Sequence, residues 1–166
     1  KAKKIIEKIS TPVRKVGVFV NEEAKAVKKV AADCGLDFLQ FHGNEPPLYL
    51  EAFNDYNVIK AVRVRDRFSL AELKPYGKAL FLFDTYKDDL FGGSGEVFNW
   101  SLLEPVRELN VPFFVSGGLS PDNVGDVISR FHPFAVDVSS GVEKAPGKKD
   151  KVLVKKFIEA VKHRGE

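Results

Sequence analysis

The sequence predicts an α/β protein: a parallel sheet covered by helices. Three observations carry that expectation. Six short apolar runs recur along the 166 residues, each followed by a segment of helical spacing, and strands alternating with helices imply parallel pairing. The runs Ala79–Phe83 (ALFLF) and Pro112–Val115 (PFFV) are continuous rather than alternating, as in strands buried on both faces. The Gly-rich turns follow the last two strands and not the first.

The elements run in order as follows. Lys1–Ile9 is a helix, with Ile5, Ile6 and Ile9 on one face. Lys15–Val20 is a strand. Asn21 is the expected N-cap of a helix over Glu22–Ala32, with two Glu in its first turn where the helix dipole favours them, and Gly35 marks its end. Phe38–Phe41 is a strand and Pro47–Phe53 a helix. Val58–Val62 and Leu70–Tyr76 repeat the pair, and Ala79–Phe83 is the fourth strand. A long loop with Gly92, Gly93 and Gly95 runs from Asp84 to Phe98, long enough for a mobile lid. Asn99 caps a helix through Leu109, and Pro112–Val115 follows as a strand. Ser120-Pro121 is a start signal, with Ser as N-cap and Pro at the first helical position, for a helix to Arg130. Phe134–Val138 is the last strand and Asp150–His163 the last helix. Nothing in the chain reads as a linker, so residues 1–166 are expected to form one domain.

Composition narrows the function. The net charge is +3, and the basic residues fall in separate clusters without aromatic or loop readers beside them, so nucleic-acid binding is not expected. One cysteine, Cys34, leaves no internal disulfide, which fits a reducing compartment. No run approaches the length of a membrane helix and no signal peptide is visible. The expectation is a cytoplasmic protein without a membrane partner. The chain begins with Lys and contains no Met, which suggests a processed or truncated product.

Two architectures fit the alternation. An open doubly wound sheet carries its phosphate loop after the first strand, where this chain has Asn-Glu-Glu. A (β/α)8 barrel carries its phosphate site after strands 7 and 8. The Gly-rich turns match the second case, so the six strands are expected to be strands 3 to 8 and the opening helix to be helix 2.

Three stretches carry chemistry. VSGGLSPDNV turns on Gly117-Gly118, and DVSSGVE offers the N–H groups and hydroxyls of Ser139, Ser140 and Gly141; together they read as an anion cradle, although each alone could be a plain turn. Asp84 ends the most apolar strand. A carboxylate there reads as a catalytic acid, or else as an acceptor for strand-end N–H groups. Gln40 and His42 alternate with apolar residues and so share one strand face. His42, His132 and His163 lie far apart in sequence, and no metal site is indicated.

Taken together, the stretches VGVFVNE, LQFHGNE, IKAVRV, LFDT, GGSGEVFNW, VSGGLSPDNV and AVDVSSGVEKAPGKKD resemble the phosphoribosylanthranilate isomerase family of tryptophan biosynthesis. The resemblance covers nearly the whole chain in the family's order. It implies a (β/α)8 barrel and a cofactor-free Amadori rearrangement of a phosphorylated sugar–anthranilate substrate. Asp84 aligns with the general acid. Gly117, Gly118, Ser139, Ser140 and Gly141 align with the phosphate cradle. Asp137 aligns with a pocket Asp near the sugar hydroxyls, and Gln40 and His42 with pocket residues on strand 4.

The departures shape the remaining expectations. The family's first strand bears the Cys that acts as base, and an Arg after strand 2 holds the anthranilate carboxylate; neither segment is found here. Cys34 sits at a helix end and is not carried over as the base. About forty residues are therefore expected to be absent, with weak or no turnover and with exposed sheet edges open to self-association. Two rivals remain. One is a non-catalytic phosphate-binding module. The other is a different sugar-phosphate barrel enzyme using a Lys or Glu at a strand end, for which Lys60 is the candidate.

Overall fold

The computed structural model describes residues 1–64, 69–84, 100–109 and 111–162. Six parallel strands are hydrogen-bonded in chain order: β1 Val16–Phe19, β2 Phe38–Phe41, β3 Val58–Arg63, β4 Leu80–Asp84, β5 Phe113–Ser116 and β6 Ala135–Val136. A separate two-stranded antiparallel ribbon joins β7, Glu143–Ala145, to β8, Lys148–Lys149. The described helices are α1 Ala2–Ile6, α2 Ala24–Cys34, α3 Pro47–Leu50, α4 Val124–Phe131 and α5 Lys151–Lys162. The chain divides into two compact units, residues 1–61 with 73–80, and residues 62–72 with 81–166.

In the first unit, β1 to β3 pair in register, with Val16 opposite Phe38 and Phe41 opposite Lys60. The alternation of β2 then sorts its side chains. Leu39 and Phe41 enter a buried cluster with Val27 and Ala31 of α2 and with Leu50 and Phe53, leaving the opposite face to Gln40. The Phe41 and Phe53 rings pack with centroids 4.8 Å apart, tilted by 47°. Gly35 ends α2 in the left-handed conformation, as expected, and Cys34 is its last residue, half-buried.

In the second unit, β4 pairs with β5 and β5 with β6, placing Asp84 opposite Ser116 and Val115 opposite Val136. Phe83, Val115 and, from α4, Val124 are fully buried. α5 starts on Asp150, whose Oδ1 accepts the N–H groups of Val152 (2.7 Å) and Leu153 (3.2 Å), the work of an N-cap.

Several expectations need correction. Asn21 does not cap a helix over Glu22–Ala32. It takes a left-handed φ of 50°, and α2 begins at Ala24 with Glu23 as its cap residue. The reason is a partner distant in sequence: Asn21 donates its N–H to Glu45, and its Oδ1 accepts the Asn44 N–H at 2.8 Å. The helix after Ser120-Pro121 begins at Val124, and its cap residue is Asn123. Asn123 Oδ1 accepts the Ser120 N–H, and the Ser120 carbonyl accepts from Val124, so the start signal opens a turn that leads into the helix. Leu70–Tyr76 and Trp100–Glu108 are 3₁₀ segments holding Pro75 and Pro105, because proline lacks the N–H that an α-helical interior needs. α1 is shorter than Lys1–Ile9, and β6 shorter than Phe134–Val138. The glycine-rich loop over 85–99, including the expected cap Asn99, lies outside the described residues.

Candidate active site

The second unit gathers most of the expected site residues at the C-terminal ends of adjacent strands. Asp84 is the last residue of β4, and its carbonyl accepts the Val64 N–H at 2.9 Å. Ser116 ends β5 directly opposite it. Asp137 follows β6, tied by its N–H to the Val115 carbonyl at 2.9 Å, and its Oδ2 accepts the Ser116 hydroxyl at 3.3 Å. Paired strands lie about 5 Å apart, so two carboxylates flank one hydroxyl on a single strand-end row.

Beyond that row lie the two turns. Gly117 and Gly118 have φ values of 87° and 62°, which glycine adopts without the Cβ penalty. After β6, Ser139 leads into a short 3₁₀ turn, Ser140–Val142. The two turns meet. A Cβ on Gly141 would stand 1.8 Å from the Leu119 carbonyl oxygen, whereas a Cβ on Gly118 would meet nothing within 4 Å. Gly141 is thus the point where one backbone closes on the other, and Gly118 faces open space. Of the expected cradle residues, Gly141 touches Leu119, the residue after Gly118.

The lysine-rich stretch 144–150 follows the second turn. It folds back as the β7–β8 ribbon, with Gly147 at φ 73° in its turn. Glu143 accepts the Lys149 ammonium at 2.7 Å and the Gly147 N–H at 3.0 Å. The Lys149 side chain first, and then the Gly147 amide, hold the Glu143 carboxyl below the usual carboxylate range.

The first unit holds the other two expected residues. Gln40 is buried, and its Nε2 lies 3.0 Å from Nδ1 of His42, the residue after β2. Behind His42 is a buried ion pair, Glu45 (3 % exposed) and Lys60 (4 %). Lys60 Nζ donates to the carbonyls of Phe41 (3.3 Å) and Gly43 (2.7 Å) and to Glu45 Oε2 (2.8 Å). Glu45 also accepts the N–H groups of Asn21 (2.8 Å) and Gly43 (3.0 Å). Burial pushes the Glu45 carboxyl up, but the bonds from Lys60 and the backbone outweigh it and leave the group below its ordinary value.

Sequence reasoning missed Ser116, Glu45 and the Glu143–Lys149 pair. Ser116 had a signal, being the first polar residue after PFFV. The ribbon had one too, in Pro146-Gly147 flanked by a Glu and a Lys. Glu45 had none, because its partners come from three separate segments. Among the described residues no group of His, Cys, Asp and Glu could hold a metal ion, and no helix is long and apolar enough to cross a membrane.

Parallel strands with helical crossovers and a row of polar strand ends place the chain in the class of barrel-type α/β enzymes. The family model described as N-(5'phosphoribosyl)anthranilate isomerase matches residues 1–160. The chain belongs to that family. An N-(5'-phosphoribosyl)anthranilate isomerase of Geobacter metallireducens is 43% identical over 150 residues, 90% of this chain and 73% of the relative. The crystal structure of the phosphoribosyl anthranilate isomerase of Thermotoga maritima superposes with a TM-score of 0.85 at 40% identity, covering 98% of this chain and 79% of that one. A further isomerase structure, in complex with reduced 1-(o-carboxyphenylamino)-1-deoxyribulose 5-phosphate, gives a TM-score of 0.81 at 37% identity over 98% of this chain and 78% of that one.

Proposed function

We propose that this chain catalyses the isomerisation of N-(5'-phosphoribosyl)anthranilate to 1-(2-carboxyphenylamino)-1-deoxyribulose 5-phosphate, a step of tryptophan biosynthesis, in the cytoplasm. The observation that carries it is the meeting of two glycine turns at Gly141 and Leu119, beside the strand-end row of Asp84, Ser116 and Asp137. In this proposal the 166 residues are one barrel-type domain, and β1 to β6 are the third to eighth strands of a (β/α)8 order. The turns after β5 and β6 then take the phosphate, as the loops after strands 7 and 8 do in such barrels.

Asp84 acts as general acid on the ribose ring oxygen. Ring opening leaves an imine at C1, loss of the C2 proton gives an enolamine, and tautomerisation gives the ketone. Carbon 1 is reduced as carbon 2 is oxidised within one molecule, so the reaction needs no external redox partner or cofactor. The Gly117, Gly118, Ser139, Ser140 and Gly141 backbone receives the phosphate, and Asp137 receives the sugar hydroxyls.

Lys60 does not suit the rival lysine chemistry, since all three of its donors are engaged within the fold. The sheet edge at β1 supports self-association: Val16 and Val18 alternate along it and are both exposed. The chain's one cysteine, Cys34, is the last residue of α2. Turnover is followed as loss of the substrate's anthranilate fluorescence, and a folded chain that binds the reduced product analogue but does not turn the substrate over overturns the proposal. Asp84→Asn is expected to lower kcat by roughly 10²–10⁴-fold and to leave binding of the reduced product analogue intact. Near-native turnover in that variant removes Asp84 from the mechanism.

A further inference from the structure

The β7–β8 ribbon carries an interaction that the reaction itself does not use. Lys149 Nζ, held by Glu143 Oε1 at 2.7 Å, reaches back to the Ser139 carbonyl at 2.9 Å and to Ser139 Oγ at 3.3 Å. The Val142 N–H also points to that carbonyl, at 3.4 Å. Ser139 has φ −119° and ψ −88°, outside the well-populated backbone regions, so something must hold it there.

The 139–140 peptide is trans, and the carbonyl and N–H of a planar trans peptide point in opposite directions. An ammonium that fixes the Ser139 carbonyl on the ribbon side therefore fixes the Ser140 N–H on the other side. Gly141 follows immediately and is wedged against Leu119, so the turn has little freedom left. The charge of Lys149 is matched by Glu143 at 2.7 Å. Its effect on a bound anion must then run chiefly through the peptide it holds.

We propose that Lys149, braced by Glu143, is a positioning residue that aims the Ser140 and Gly141 N–H groups at the substrate phosphate. This rests on the phosphate cradle proposed above.

Two explanations of Lys149 predict opposite signs. If Lys149 were a direct cationic contact, Glu143→Gln would remove a competing negative charge and tighten phosphate binding. If it positions the peptide, the same change loosens the brace and weakens binding.

The test is a titration with inorganic phosphate, followed by amide NMR of the native chain and of Lys149→Met, Lys149→Arg and Glu143→Gln, with thermal unfolding run on each. The expected result is phosphate-dependent shifts at Ser140 and Gly141 in the native chain. Lys149→Met and Glu143→Gln both bind about tenfold or more weakly, the scale of a lost charge-assisted hydrogen bond. Lys149→Arg recovers part of the affinity, because a donor is restored. Tighter binding in Glu143→Gln, or unchanged binding in folded Lys149→Met, overturns the proposal. A native chain that shows no phosphate binding removes the cradle itself, and the proposal with it. Lys149 is about half exposed, so its variants are expected to fold, and Glu143→Gln keeps the side-chain shape and gives an independent readout.

Discussion

Replacing Gly141 by Ala tests whether the two turns must touch. The added Cβ would lie 1.8 Å from Leu119 O, 2.9 Å from Leu119 C and 3.3 Å from Ser120 Cα. Real Cβ atoms essentially never come closer than 3.0 Å, so the turns must part by at least 1.2 Å, and the obstructing atoms are backbone. Neither turn can give cheaply. One follows β5 and the other β6, and those strands are bound at Asp137 N–H to the Val115 carbonyl and Phe134 N–H to the Phe113 carbonyl. Overpacking of this kind costs about 1–3 kcal/mol or more. For a chain of this length each kcal/mol lowers Tm by roughly 2–4 °C; with backbone as the obstacle the cost falls at the upper end, about 3 kcal/mol, so Gly141→Ala is expected to lose about 6–12 °C. Gly118→Ala is the control. Its φ of 62° places on an added Cβ a left-handed strain that Gly141 does not share, but the space around that Cβ is open, and the change costs roughly 1–2 kcal/mol. Circular-dichroism melts measure both, and phosphate titration measures the cradle. If Gly141→Ala melts with Gly118→Ala and binds phosphate as the native chain does, the two turns are not one site.

The buried pair in the first unit makes a second prediction. Lys60→Met strands the Glu45 carboxylate without a counter-charge and is expected to cost about 3–5 kcal/mol in urea unfolding. Combining it with Glu45→Gln recovers part of that loss, because no charge is then buried; a double variant no more stable than the single one refutes the account. Acid provides a third. The folded Glu143 carboxyl titrates below its ordinary value, chiefly because of Lys149. Its stabilising effect is full above the ordinary carboxylate pKa and is lost as pH falls through the lower folded one. The Gly147 amide resonance is expected to report that transition in an NMR titration, and Glu143→Gln is expected to abolish it.

Strand and helix positions were legible because their cause is local. ALFLF is buried on both faces at Phe81, Leu82 and Phe83, whereas PFFV buries Phe113 and Val115 and leaves Phe114 half-buried and Pro112 exposed, so its continuous apolar run overstates its burial; a proline inside a segment constrains its helix wherever it sits. Caps were less legible. Asn21 followed by Glu-Glu carries every local sign of an N-cap, yet its side chain serves Asn44, 23 residues on, because Glu45 captures the Asn21 N–H. Ser120-Pro121 marked the right place with the wrong register, since Asn123 competes for the same role three residues later. In the site, Gly-Gly and Ser-Ser-Gly were visible as turns. What makes Gly141 obligatory is a carbonyl 22 positions earlier, and no pattern around Gly141 records it.

Lys60 shows how the same blindness bears on function. In the sequence it is a lysine in VIK, a candidate amine for carbonyl chemistry, and that candidacy kept a rival enzyme class open. An attacking amine needs a lone pair on Nζ and a path to the substrate. Here Nζ is buried and directs its three N–H bonds at the Phe41 and Gly43 carbonyls and at Glu45. To act as a nucleophile it would have to lose a proton to a partner such as Glu45 and leave two carbonyls unsatisfied in the interior, a penalty of about 1–3 kcal/mol for each buried group. Those carbonyls flank His42, so freeing the amine would also loosen the turn that carries an expected pocket residue. The ion pair therefore belongs to the framework of the β2 strand end, and the proposed acid chemistry rests on Asp84 at the end of β4.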